Sequence, residues 1–417
     1  MSDKPFNQDI REKVFSKVVR TVSAKLYDPA LNGVNWGQVS DERRDAIVAS
    51  ETRADFEASM NSLLRELHVS HIGFFFERQP RAAAKIAIGA TFHASEGRWV
   101  FQDVHAGGPA HAAGLQPGDT LLAVAGKECA PPALPSFAFG ESVAVDVERR
   151  DRTRDRVQIL IPVSKKKDHP IVHFDPPRWK RLPDGVGYLK IAIFPGVVGI
   201  DVAHDIDRAI RELDCDRLVV DLRGNPGGGM GSLRVMSYFT PGQVPVGYSV
   251  TRKYLDRPDF DKTRLPRFDR IPDLKLGLVP LFIRFALHNR STAVFTEGKG
   301  PRRFHGHVAL LVNEHTASSS EMVTAFAAEN GLATIVGSRT AGRLLGNDSF
   351  SVGYGYRLAL PIVDYRTWRE TRLEGKGVEP HVSAPFDPEA FRNGEDPQLT
   401  AAVAAVSDRV AQRTAIG

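Results

Sequence analysis

A chain of 417 residues, 42% hydrophobic and 25% charged, is long enough for two or three domains with full cores and reads as an ordinary soluble globular protein. Its net charge of +5 at pH 7 comes mostly from dispersed arginine, with small clusters at Arg149, Arg150 and Lys165 to Lys167; no basic tract alternates with aromatics, so no nucleic-acid partner is expected. Cys129 and Cys215 offer neither a metal-ligand spacing nor a disulfide framework, MSDKPFNQDIREKVF lacks the apolar core of a secretory signal, and no run approaches the ~18 apolar residues of a membrane span, so the expectation is a cytoplasmic chain without stable membrane insertion.

Residues 1–78 read as an N-terminal helical domain. Ile10, Val14, Val18 and Val22 step by four, joined by Phe15 and Val19, which predicts a core-facing helix. LYDPALNGVNWGQV (26–39) reads as a turn-rich connector, and a second helix is expected over 55–67 with Phe56, Met60, Leu63 and Leu64 inward.

From about residue 80 the periodicity shortens. KIAIGATFH and RWVFQDV read as strands. In VHAGGPAHAAGLQPGDTLLAVAGK (104–127), a short helix over 109–113, a stop at Gly114, a Pro-Gly-Asp turn and an apolar strand follow one another. This stretch resembles the second half of a PDZ domain, placed at 79–165, with VSKKKDHP as linker. As a peptide-adding module it would offer the N–H groups of Gly89 and Ala90 to a carboxylate, or else gate a site on the core.

Residues 166–417 alternate strands and helices in a βαβ pattern. GVGYLKIAIF, RLVVDLRG, HVALLVN and LATIVG are the strand candidates, and IDVAHDIDRAIREL is amphipathic. An insertion at about 251–305 contains the amphipathic stretch LKLGLVPLFIRFALH, read as a lid or packing element, with a dimer contact or membrane-surface patch as the alternatives.

NEHTASSSEM (313–322) holds three serines between a strand and a helix. Ser318 with Glu321 fits a capping box. A serine at such a turn also has its hydroxyl at the strand's C-terminal end, where a helix N-terminus favours developing negative charge. A nucleophile further needs a base, an orienting group and a second oxyanion donor. LHVSHIGF supplies Ser70 and His71, RLEGKGVEP supplies Glu374, and DLRGNPGGGMG supplies glycines that let N–H groups approach a substrate oxygen.

This ordered set of motifs resembles the serine peptidases that include the tail-specific (C-terminal processing) proteases and the tricorn core protease. The resemblance spans most of residues 10–385 and implies an α/β, crotonase-like core with an embedded PDZ domain. In the tail-specific branch the base would be a lysine at the position of Arg343, and arginine cannot accept a proton from serine at useful pH. The tricorn-like branch instead implies Ser318 as nucleophile, His71 as base, and Ser70 and Glu374 orienting it. The oxyanion would be held by the N–H of Ser319 and of Gly227 or Gly228. Asp221 and Arg223 read as scaffold, and Ser320 as the residue opening the helix. No metal or organic cofactor is called for. The partner would be a peptide or unfolded protein, with a homo-oligomer left open. The alternative is an inactive module of the same fold that binds peptides or hydrophobic ligands.

Overall fold

The computed structural model describes residues 6–77, 81–163, 176–196, 198–255, 257–272, 274, 277, 279, 280, 283, 287, 291–298 and 304–414. Helix α1 (Gln8–Lys25) is capped by Asn7, which accepts the Ile10 N–H, and buries the expected stripe of Ile10, Val14, Phe15, Val18 and Val22. Helix α2 (Trp36–Val48) begins inside the stretch read as connector. Its first residue explains why: the Trp36 ring is buried and its indole donates to the Val19 carbonyl at 3.3 Å, anchoring a helix start that Asn35 caps. Helix α3 (Arg53–Arg65), capped by Thr52, turns Phe56, Met60, Leu63 and Leu64 inward as expected. These helices share one core with strand β1 (Gly73–Phe76) and with Leu345, Val352, Tyr356, Leu358 and Leu360. Phe74 stacks on Tyr356 with centroids 5.0 Å apart.

Next come β2 (Arg81–Ala83) and a single helical turn, α4 (Ala84–Ala87), where KIAI was expected to be strand. Ala84, Lys85 and Ala87 are good helix formers. The turn closes with Ile88 N–H to Ala84 O at 2.8 Å, and β3 (Ala90–Ser95) starts only after Gly89, at φ +68°. Then follow β4 (Arg98–Val104), α5 (Pro109–Ala112), β5 (Thr120–Val124), β6 (Lys127–Glu128), β7 (Ser136–Ala138), β8 (Ser142–Glu148) and β9 (Arg154–Leu160). Strands β3, β4, β5, β8 and β9 pair in that order, antiparallel throughout, around Phe92, Phe101, Leu121, Val145, Val147 and Ile159. The expected linker lies, past Val163, outside the described residues.

The remainder builds two sheets. Its elements are β10 (Arg178–Arg181), β11 (Gly187–Lys190), α6 (Ile200–Leu213), β12 (Arg217–Asp221), α7 (Ser232–Phe239), β13 (Pro245–Thr251), α8 (Arg252–Leu255), β14 (Arg267–Phe268) and β15 (Thr292–Phe295). After them come β16 (His307–Val312), α9 (Ser319–Glu329), β17 (Thr334–Gly337), β18 (Leu345–Gly353), β19 (Tyr356–Thr367), β20 (Val382–Ser383), α10 (Pro388–Arg392) and α11 (Pro397–Thr414). One sheet runs β10-β11-β12-β16-β17-β20, parallel except at β10. Its strands are apolar at successive positions because both faces are covered. Leu218, Val220, Leu310 and Ile335 pack with residues of α6, α7 and α9, whereas Val219, Ala309, Leu311 and Val336 pack with Ala402 and Val406 of α11. The second sheet, β1-β19-β13-β15-β14 with β18 on β19, carries the N-terminal helices. The amphipathic stretch 274–288 falls largely outside the described residues.

Candidate active site

Two loops at the C-terminal edge of the parallel sheet meet. The first leaves β12 and passes through Gly224 to Gly231 into α7; the second leaves β16 and enters α9 through Ser318. Asn225 ties them together. Its carbonyl accepts the Ala317 N–H at 2.9 Å, its side-chain amide donates to Ile191 O at 2.9 Å, and its Oδ1 accepts the Gly227 N–H at 2.8 Å. The glycines are required by space as well as by conformation. A Cβ at Gly227 (φ +89°) would lie 2.6 Å from the Ser318 Cβ and 2.8 Å from the Ser319 nitrogen, and one at Gly228 (φ +125°) would lie 2.0 Å from Phe194 O.

Of the three serines, only Ser318 is partly exposed; Ser319 and Ser320 are buried, with hydroxyls that have no partner among the described residues. Helix α9 starts at Ser319, with Ser318 in the N-cap position, rather than at Ser320 as expected. The cap and the candidate nucleophile are therefore one residue. The Glu321 carboxylate reaches back to the Ser318 N–H at 3.1 Å, a bond shared with Arg343 O at 2.9 Å, and the Ser318 carbonyl accepts the Glu321 N–H at 2.8 Å. Ser318 itself sits at φ +56°, ψ −125°. Glu321 further accepts from Thr340 Oγ1, Gly342 N–H and Arg343 N–H, and so shapes the loop 340–343 around the serine. Burial, outweighing these bonds, raises its pKa.

The adjacent Ser70 and His71 come together with Glu374, 304 positions beyond Ser70 in sequence. The Ser70 hydroxyl donates to Glu374 Oε2 at 2.9 Å and lies 2.6 Å from His71 Nδ1, and the Ser70 N–H donates to Glu374 Oε1 at 2.7 Å. Because that hydroxyl spends its proton on the carboxylate, it accepts from Nδ1–H, which leaves the lone pair of neutral His71 on Nε2. Leu344 N–H also donates to Glu374 Oε2, at 2.9 Å, so the relay is anchored next to Arg343, whose carbonyl binds Ser318. Burial first, then the charges of Lys85 and Arg343, hold the His71 pKa down to about 4. His71 makes no hydrogen bond to Ser318 in this structure.

The Gly227 N–H is consumed by Asn225, whereas those of Gly228 and Ser319 donate to no group among the described residues. Gly89 and Ala90 are buried: the Gly89 carbonyl accepts the His105 N–H at 2.8 Å, and Ala90 pairs with Val104 of β4. Asp221 and Arg223 form a buried ion pair at 2.8 Å that extends to Asp396. Sequence reasoning missed Asn313, whose Oδ1 accepts the Gly224 N–H at 2.9 Å while its amide donates to Asp103 of β4 at 2.9 Å. It also missed Lys85, hidden in a segment read as strand. Among the described residues, no cluster of three or more His, Cys, Asp or Glu side chains is placed to hold a metal ion, and no helix is long and apolar enough to cross a membrane.

Residues 185–384 match the family model of peptidase family S41, and residues 100–133 match that of a PDZ domain. The resemblance drawn from the motifs therefore holds: residues 185–384 are similar to the S41 peptidases, and 100–133 to a PDZ domain. A carboxyl-terminal-processing protease from Synechocystis sp. is 23% identical over 284 residues, covering 66% of this chain and 56% of the relative. Tricorn protease homolog 1 from Streptomyces coelicolor is 24% identical over 419 residues, covering 94% of this chain and 34% of the relative. The chain thus spans a third to somewhat over half the length of these curated relatives. Among solved structures, a photosystem II D1 C-terminal processing protease superposes with a TM-score of 0.56 at 18% identity, over 95% of this chain and 97% of that one, which shows a shared fold.

Proposed function

We propose that this chain is a serine endopeptidase of the processing type, acting on peptides or unfolded protein. In this reading residues 1–78 contribute Ser70 and His71, 79–165 form a PDZ domain that assists peptide binding, and 166–417 form a crotonase-like core. The observation that carries it is the Ser70–His71–Glu374 relay. It fixes the histidine with Nε2 unprotonated, the form a general base needs. Turnover requires His71 and Ser318 to close on one another, as such pairs do when substrate arrives. His71 then takes the Ser318 proton as the hydroxyl oxygen attacks the peptide carbonyl. Ser70 and Glu374 steady the imidazolium, which passes the proton to the leaving amine, and water repeats the cycle on the acyl-enzyme. The N–H groups of Ser319 and Gly228 receive the oxyanion; Gly228 is preferred over Gly227 because the latter's N–H is already bound. One such donor is worth roughly 3 kcal/mol of the barrier.

A second reading, an inactive peptide-binding or hydrophobic-ligand-binding module, draws on the unformed His71–Ser318 bond. Fluorophosphonate labelling with peptide mapping separates the two. The peptidase reading expects label on Ser318, lost in both Ser318→Ala and His71→Ala. No label on the folded wild-type chain would favour the binding module.

A further inference from the structure

The loop 340–344 is bonded on one side to the candidate nucleophile and on the other to the relay. Toward Ser318, the Gly342 and Arg343 N–H groups donate to Glu321 at 2.7 and 2.8 Å, and the Arg343 carbonyl accepts the Ser318 N–H at 2.9 Å. Toward the relay, the Leu344 N–H donates to Glu374 Oε2 at 2.9 Å, and the Gly342 carbonyl accepts the Gly375 N–H at 2.8 Å. The two loops meet backbone to backbone. A Cβ at Gly342 (φ +63°) would lie 2.9 Å from the Lys376 and Gly377 nitrogens, and one at Gly377 (φ +70°) would lie 2.3 Å from Thr340 O. Thr340, 4% exposed, joins both sides through its side chain. Its hydroxyl donates to Glu321 Oε1 at 2.7 Å and accepts the Val378 N–H at 2.8 Å, and its own N–H donates to Val378 O at 3.1 Å. The carboxylate that receives the hydroxyl proton also accepts the Ser318 N–H at 3.1 Å, and Val378 lies four residues beyond Glu374.

We propose that Thr340 is a positioning residue of the peptidase, whose hydroxyl fixes the loop that holds Ser318 against the loop that carries Glu374. This rests on the peptidase reading. His71 is held through Ser70 by Glu374, Ser318 is held by Glu321 and Arg343, and no hydrogen bond joins His71 to Ser318 directly. The placement of base against nucleophile is therefore inherited from what lies between the two glutamates, and Thr340 bonds to one of them and to the loop of the other. A valine of the same shape would leave the Val378 N–H without its acceptor and Glu321 without one donor, so the two loops could part. Catalysis is steep in such a displacement, since a misplacement of about 1 Å can cost ~100-fold. Thr340 touches neither the reacting hydroxyl nor the base, so its loss should act on the rate of the bound complex and not on binding.

The test follows labelling of Ser318 in the full chain by a fluorophosphonate–rhodamine probe over a range of probe concentrations. This separates the maximal rate from the half-saturating concentration, and near-UV circular dichroism confirms that each variant is folded. Thr340→Val is expected to lower the maximal rate by at least ~10-fold, with the half-saturating concentration within about threefold of wild type. Thr340→Ser, which keeps the hydroxyl, is expected to restore the rate to within about threefold. Thr340→Ala removes the same hydroxyl without adding bulk and carries the comparison if Thr340→Val fails to fold. A smaller fall, or one confined to the half-saturating concentration, overturns the proposal and leaves the hydroxyl a support of the fold alone. Equal losses in Thr340→Ser and Thr340→Val also overturn it, because they trace the effect to the methyl group. No label on the wild-type chain overturns the peptidase reading and the positioning role with it, whereas a labelled wild type matched by Thr340→Val overturns the positioning role alone.

Discussion

Ser318 holds a backbone conformation that a residue with a Cβ adopts only when its surroundings enforce it, at a cost of about 1–3 kcal/mol. The enforcement is visible: its N–H is shared between Arg343 O and Glu321, and its carbonyl is held by the N–H groups of Glu321 and Met322. The capping box legible in the sequence is real, but it is made largely by backbone and Glu321. His71 is the other residue whose behaviour departs from its type. From sequence alone a histidine base implies activity falling as pH drops through roughly 6 to 7. Enclosure and two nearby cations instead bring its pKa to about 4. The expected result is that kcat/KM for a neutral, amidated peptide stays within about twofold between pH 7 and pH 5, with near-UV circular dichroism confirming the fold at each point. A sigmoidal fall centred between pH 6 and 7 would mean that the ring is solvated in the working state, or that another group is the base.

At the scale of elements, the strand-loop-helix order around the serine could be read because it rests on local signals: continuous apolar strands, glycines after DLR, and an apolar helix face after SSSE. Helix α2 could not, since Trp36 acts there as a buried anchor against α1, a tertiary contact with no local signature. The strand reading of KIAI failed because period-2 alternation and one helical turn look alike over four residues. That error concealed Lys85. The hub at Asn313 was illegible for a related reason, since its partners Gly224 and Asp103 lie about 90 and 210 positions away. It bonds both to the glycine loop and to β4, and His315, two residues on, places Nε2 3.0 Å from Phe92 O of β3. Asn313→Ala leaves the buried Gly224 N–H and one Asp103 acceptor site unmatched. The expected loss of stability by urea unfolding is ~2–4 kcal/mol, with turnover falling in parallel as the glycine loop loosens. A loss under ~1 kcal/mol would show that water replaces both bonds and that the hub is not what couples the PDZ segment to the loop.

At the scale of the whole molecule, His71, His105 and His315 lie where the PDZ segment, the N-terminal segment and the core meet, and the pKa of each is lowered, burial first. His105, 3% exposed with Nε2 3.1 Å from Gly224 O, is pushed down to about 4 by burial and then by Lys190. His71 is also lowered to about 4, and burial lowers His315 as well. In the unfolded chain each would titrate near 6.5. For His71 and His105, between pH 6.5 and about pH 4, the unfolded state therefore binds protons that the folded state refuses, so stability is full above that window and is lost as pH falls through it; His315 acts in the same direction. The limiting slope is ~1.4 kcal/mol per pH unit for each such group, which predicts a decline of a few kcal/mol between pH 7 and pH 5. The raised carboxyls of Glu57 and Glu321 act in the opposite sense but start from 4.5, and the lowered pKa of Glu314, at about 2, takes effect only at greater acidity. Urea midpoints across pH 7.5 to 5 measure the decline, and His105→Gln should flatten its slope. If the midpoint is pH-independent, these histidines are solvated; if it falls equally in His105→Gln, the acid sensitivity arises elsewhere. The same junction places His105 on the glycine loop and His71 on the relay, so mild acid should open the contact between the PDZ segment and the core before it unfolds the parallel sheet, whose strands are buried on both faces and carry no histidine on the α6, α7 and α9 side.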